Sequence, residues 1–302
     1  MATTRNILKV LRSKPTLEGA GVHLKRAFGF GTTELFDPFL LLDDFRGDSP
    51  DMYQKGFPWH PHRGIETITY VLKGTVAHGD SMGNSGVIGP GDVQWMTAGS
   101  GIIHQEMPSG DPDGKMYGFQ LWANLPGKSK MIDPNYQGVV DAEIPRVNLD
   151  NGGEVRVICG YYNGRRGPIK NVTIQPEYLD VSLPPHSSFT REFPAAHTVF
   201  AYVFAGSGLF CEDPDPFTYD VKGANYFDTQ RREQLDNFSL IVFGPGDQIK
   251  VTTVENGVRF LLISGMPIHE PVAWYGPIVM NTEAELQVAF EELEKGTFIK
   301  HK

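Results

Sequence analysis

The chain carries one pattern twice. "TYVLKG" at 69–74 returns as "AYVFAG" at 201–206, "IGPGDVQWMTA" at 88–98 as "FGPGDQIKVTT" at 243–253, and "ANLP" at 123–126 as "SGMP" at 264–267. The order is the same both times. A 302-residue chain built this way is constrained to two copies of one folding unit. In each copy a strand runs into glycine, and a Gly-Pro-Gly-Asp turn feeds the next strand. Proline presets φ for the turn, and glycine supplies backbone freedom that a β-branched residue lacks. The polar, turn-rich stretch "PGKSKMIDPNYQGVVDAEIPRV" marks the junction, which predicts domains at 1–145 and 146–302.

The repeated unit is a β-barrel. Short β-branched and aromatic runs, among them "IETITYVL", "VQWMTA", "YGFQLWANL", "EVRVICGYY", "TVFAYVFAG" and "VRFLLISG", are separated by glycine and proline along most of the chain. Regular short strands with turn punctuation read as an all-β sandwich or barrel, and "YLDVSL" alternates with period two. One helix is predicted, in "NTEAELQVAFEELEKG", with Asn281 or Thr282 as N-cap, glutamates in the first turn and Gly296 as the stop.

Several function classes are excluded early. The formal net charge of −9 argues against direct nucleic-acid binding, which rests on Lys and Arg facing phosphates. No window approaches the ~18 apolar residues of a membrane span, and the start "MATTRNILKVLRSKP" has no apolar signal core. Two cysteines, Cys159 and Cys211, fit a reducing cytoplasm and read as buried small hydrophobes. No Gly-x-Ser-x-Gly elbow, Walker loop or dinucleotide fingerprint is present.

The two copies differ where chemistry resides. Aligning the repeats places His60 on Glu192, His62 on Pro194 and Glu66 on Thr198, and "GSGIIHQEMP" has no counterpart. Any site is therefore expected in the first copy. His60, His62 and Glu66 share strand parity, as do His104 and Glu106, and alternate residues of a strand project to one face. Two strands that each give two inward ligands can converge on one metal. Imidazoles with a carboxylate suit Fe, Mn, Co, Ni, Cu or Zn better than Ca or Mg. Parity leaves open whether Glu66 or Glu106 is the carboxylate. His78, His186, His197 and His269 read as ordinary polar residues. Phe57, Trp95, Met96 and Trp122 lie near the ligands in sequence and are expected to line an apolar mouth, with barrel core as the alternative for each.

"FPWHPHRGIETITYVLKG", "PGDVQWMTAGSGIIHQEMP", "GPIVMNTEAEL", "DPFLLLDDFRG" and "QLWANLP" together resemble the pirin family of the cupin superfamily. The likeness covers nearly all of the first half and the C-terminal tail, and is loose over roughly 160–240. The resemblance implies an all-β bicupin, two tandem cupin barrels of the jelly-roll type with a C-terminal helix and metal only in the first barrel. It implies His60, His62, His104 and Glu106 as ligands of one divalent metal, Fe(II) by preference. Arg63 and Glu66 are then expected behind the ligands, orienting them.

The resemblance also implies function. Pirin-like proteins include quercetin 2,3-dioxygenases, which open a flavonol ring with O2 and release carbon monoxide. In that reading Glu106 accepts the substrate's hydroxyl proton. The alternative is a metal- and redox-dependent regulator that binds a transcription factor or a metabolic enzyme. A monomer is the expected state.

Overall fold

Each sequence repeat folds as a strand followed, beyond its turn, by a second strand, paired along Glu66–Tyr70 in the first copy and at Leu209–Phe210 in the second. The structure is a computed structural model that describes residues 2–211, 220–222 and 234–301. "TYVLKG" lies at the end of a strand over Ile65–Lys73, and "AYVFAG" within one over Thr198–Phe210. Each Gly-Pro-Gly-Asp turn opens onto a partner strand, Val93–Thr97 or Gln248–Thr252, antiparallel to the repeat strand. The turn aspartates are used: Asp92 accepts from the Gly89 N–H at 2.8 Å, and Asp247 from the Thr3 N–H at 2.9 Å.

The chain divides into two units, one of Lys14–Glu143 with Ile268–Lys302, the other of Met1–Ser13 with Ile144–Pro267. This differs from the contiguous domains 1–145 and 146–302 expected from the repeat. Both ends of the chain cross the midpoint. Strand β1 (Ile7–Arg12) pairs antiparallel with Ser239–Phe243 of the second repeat. The segment after residue 268 returns to the first, where Arg63 bridges Ile278. A sequence repeat reports the shared barrel strands but is silent about where non-repeated ends dock.

The unit containing the first repeat holds β2 (Lys14–Glu18), β3 (Val22–Phe28), β4 (Phe39–Asp44), β5 (Phe57–His62), β6 (Ile65–Lys73), β7 (Thr75–Asp80), β8 (Ser85–Ile88), β9 (Val93–Thr97), β10 (Ile102–Ser109), β11 (Tyr117–Asn124) and β12 (Asn135–Val139). One sheet runs β12-β9-β6-β11-β4-β3-β2 and the other β5-β10-β7-β8. Their inward faces enclose a cavity of about 790 Å³.

In the other unit the corresponding interior is packed with apolar side chains, among them Val157, Leu179, Val181, Phe189, Val203, Phe260 and Leu262. The longer of the two α-helices among the described residues spans Glu283–Glu294 and is closed by a capping box between Thr282 and Glu285, which fixes Thr282 as N-cap. Gly296 follows with φ +68°. A four-residue helix at Thr33–Phe36 was not expected from sequence. No helix among the described residues is long and apolar enough to cross a membrane.

Candidate metal centre

The two histidine motifs lie on neighbouring strands. β5 and β10 pair antiparallel with His104 opposite His60 and Glu106 opposite Phe57. Three steps along β5 thus match two along β10, so β5 carries a β-bulge between Phe57 and His60. The bulge lets Phe57 and His60, of opposite parity, both line the cavity with His62. Trp59 is left outside, 55% exposed. The ligating atoms of His60, His62 and His104 all lie within 4.8 Å of one another.

Backbone carbonyls set the tautomers. His60 Nδ1 is 2.8 Å from the Pro58 oxygen, and His62 Nδ1 is 3.1 Å from the Pro277 oxygen. A carbonyl can only accept, so each Nδ1 carries the proton and donates it. The two Nε2 atoms then present lone pairs, 3.1 Å apart. Burial holds all three imidazoles below the ordinary histidine value, most strongly at His62 and His104, so the neutral form is favoured. Two facing lone pairs repel unless a cation lies between them. Both His104 nitrogens are buried without a hydrogen-bond partner among the described residues. The donor set therefore fits a divalent transition metal.

Glu106 stands next to this triad, outside the tight cluster. It is 6% exposed, and burial pushes its carboxyl up to about 7 against the opposing hydrogen bond from Thr69. The Thr69 hydroxyl lies 2.8 Å from Glu106 Oε1 and 2.7 Å from Gln120 Oε1. His78 is close to His104, with ring centroids 5.6 Å apart, but Asp80 and Gln94 engage its two nitrogens, each at 3.2 Å.

The other expected site residues separate into two groups. Phe57 and Trp122 line the cavity, and Trp122 stands edge-on to His62 at 5.0 Å. Trp95 and Met96 do not line it; both are fully buried in the wall. Sequence proximity placed them near the ligands, but Met96 packs with Leu40, Ile65 and Ile102, and Trp95 pairs with Ile68 on the opposite face of the sheet from Thr67 and Thr69.

Glu66 and Arg63 are also corrected. The shared parity of His62 and Glu66 fails because the strand breaks between them at Gly64, whose φ is +78°. A β-carbon at Gly64 would collide with the Val279 carbonyl. Glu66 consequently faces away from the cavity, accepts from Thr97 at 2.8 Å and has its carboxyl pushed up to about 7 by burial. Arg63 donates to the carbonyls of Ser100 at 2.7 Å and Phe298 at 2.9 Å, and pairs with Glu292 at 2.8 Å. Neither residue hydrogen-bonds a histidine of the triad. Carbonyls of Pro58 and Pro277 orient His60 and His62 instead, and a motif of side chains gives no sign of them.

Sequence reasoning also missed the outer wall. The Ala273–Tyr275 and Ile278–Met280 strands form a hairpin whose Trp274 and Tyr275 line the cavity. Trp274 lies 5.9 Å from Trp122 and 5.6 Å from Phe30, itself 76% exposed at the cavity edge. Aromatic rings thus follow one another from His62 to the surface.

Known proteins match both repeats. A sequence model of the pirin family matches residues 21–123, and one of the pirin C-terminal cupin domain matches 178–299. A pirin-like protein of Caulobacter vibrioides is 41% identical over 97% of this chain and 99% of its own. Pirin of Homo sapiens is 36% identical over 96% and 92%. The crystal structure of a quercetin 2,3-dioxygenase from Acinetobacter baumannii superposes with a TM-score of 0.83, at 31% identity and 98% coverage of both chains. Agreement in sequence and in fold, end to end and across both barrels, makes this chain a bicupin of the pirin family.

Proposed function

We propose that His60, His62, His104 and Glu106 hold one divalent metal, Fe(II) by preference, and that the protein is a dioxygenase that cleaves flavonols such as quercetin with O2. The observation that carries this reading is the pair of facing, proton-free Nε2 atoms of His60 and His62, converging with His104 beside an aromatic-walled cavity. The likeness to the A. baumannii quercetin 2,3-dioxygenase supports the substrate class.

A metal bound there would supply Lewis acidity towards a substrate oxygen and open positions for O2. The protein's own groups do the rest. The Pro58 and Pro277 carbonyls hold the imidazoles in the ligating tautomer. Trp122, Trp274, Phe57 and Phe30 form walls suited to a flat ring and limit water around it. Glu106, held by Thr69, is placed to take the hydroxyl proton of a substrate lying against the triad. A cavity of about 790 Å³ lies within the ~300–1,000 Å³ of ligand pockets.

The test is oxygen consumption by the Fe(II)-loaded protein with quercetin, beside His62→Ala prepared identically. Turnover in the wild type that vanishes in the variant is expected. No turnover in metal-replete wild type would sink the flavonol reading and leave a metal-dependent regulator as the better account.

A further inference from the structure

One row of side chains in the cavity wall is polar along its whole length, where its neighbours are mostly apolar. Arg26 of β3 pairs with Asp43 of β4, Asp43 with Gln120 of β11, Gln120 with Thr69 of β6, and Thr69 with Gln94 of β9. These five residues form one rung across five strands. Two positions along, on the same face, the next rung is Leu41, Trp122, Thr67 and Met96. On the other side lie Leu24, Phe45, Val71 and Val76. A polar rung between apolar ones is costly to bury unless each group is paired.

The rung is almost wholly paired. Arg26 holds Asp43 with two hydrogen bonds, at 2.8 and 2.7 Å. Gln94 bonds His78, and Thr69 bonds Glu106. Two amides are not fully paired among the described residues: Gln94 has a buried Oε1 without a partner but does not line the cavity, whereas Gln120 does line it. A hydroxyl carries one proton, so Thr69 donates to one of its two neighbours and accepts from the other. Gln120 therefore spends one amide atom on Thr69 and makes no other hydrogen bond to a described residue. It lines the cavity, two hydrogen bonds from Glu106.

We propose that this rung orients the substrate, with Gln120 hydrogen-bonding a second oxygen of a planar ring whose first oxygen sits at the histidine triad. The inference rests on the reading above that the triad takes a substrate oxygen. It narrows the substrate class to flat aromatic rings with two neighbouring oxygens, since a site built to hydrogen-bond a hydroxyl rejects the analogue that lacks it. Gln120 is then the residue that sets specificity, and Thr69 positions it.

The test uses 2,3-dihydroxynaphthalene and 2-naphthol, which differ by one neighbouring hydroxyl. Each is titrated calorimetrically into Zn(II)-loaded wild type, Gln120→Leu and Gln120→Met, with quercetin alongside. Zinc has no redox chemistry, so binding is read without turnover. Wild type is expected to prefer the diol, and Gln120→Leu to weaken diol binding about tenfold while 2-naphthol binding is unchanged. Gln120→Met should weaken the diol in the same selective way, which keeps the test open if Gln120→Leu folds poorly. Equal loss for both probes, no loss for either, or no binding of either to wild type would overturn the inference. Selective diol binding without quercetin binding would overturn the flavonol reading and leave the role of Gln120 standing.

Discussion

His62 Nδ1 lies 3.1 Å from the carbonyl oxygen of Pro277, 215 positions along the chain. That contact ties the C-terminal hairpin to the histidine triad. Arg63, next to His62, fixes the same segment through the Phe298 carbonyl and Glu292, while its own carbonyl accepts from the Val279 N–H at 3.1 Å. Docking of the tail and orientation of His62 are therefore one structural event.

Arg63→Ala should therefore disturb both together. The variant loses a side chain 1% exposed and takes the Arg63 hydrogen bonds from the Ser100 and Phe298 carbonyls, while Glu292 keeps Lys300, which costs on the order of 3 kcal/mol. Hydrogen exchange should rise in Ile278–Met280 and Glu283–Glu294 and stay unchanged in Val258–Gly265. Metal affinity should fall about tenfold or more, as for loss of a group that orients a ligand. Unchanged exchange in the tail would show that Arg63 does not anchor it.

Metal binding itself should be visible as stability. Adding Zn(II) at a free concentration of ~100 times its dissociation constant should stabilise the wild type by about 2.7 kcal/mol, read as a rise in Tm by calorimetry. His104→Ala should show little or none of this rise. An equal rise in the variant would place the zinc elsewhere.

Glu106→Gln is expected to retain much of the bound metal, by elemental analysis, and to lose roughly 10²–10⁴-fold in quercetin turnover. The amide keeps the shape and an oxygen for Thr69 but is a poor proton acceptor. Full turnover would remove Glu106 as the base.

Lys130 predicts a pH dependence. It is 1% exposed and donates to the Gly64 carbonyl, the Val279 carbonyl and Asn124 Oδ1 at 3.0, 3.0 and 2.7 Å. Burial pushes its amine down to about 7, with Glu270 and Glu285 opposing. The unfolded chain keeps the ordinary value of about 10.4. Between these values the unfolded state binds more protons, so stability rises with pH. Measured against Lys130→Met in EDTA, wild-type stability should climb by a few kcal/mol, an order-of-magnitude figure, from about pH 7 towards pH 10. A flat difference would mean that the three acceptors, one for each ammonium proton, keep Lys130 charged.

The amino-acid sequence determined what is local or repeated. Strand runs, Gly-Pro-Gly-Asp turns and a helix start at Asn281 or Thr282 are written in nearest neighbours, and the structure chose Thr282. The histidine pair at His60 and His62 and the "HQE" at 104–106 were legible because a strand alternates faces, and an imbalance between repeats pointed to the first barrel.

What only the tertiary structure decided depends on register and on distant chain ends. A single bulge in β5 brings Phe57 into the cavity beside the histidines, and a break at Gly64 turns Glu66 away. Either slip reverses every face downstream, which residue parity cannot foresee. Gln120 and Thr69 meet because β11 and β6 pair in one register, and Pro277 reaches His62 because the tail docks on the first barrel. Those contacts are set by which strands find each other across long stretches of chain, where burial of whole faces outweighs any local preference.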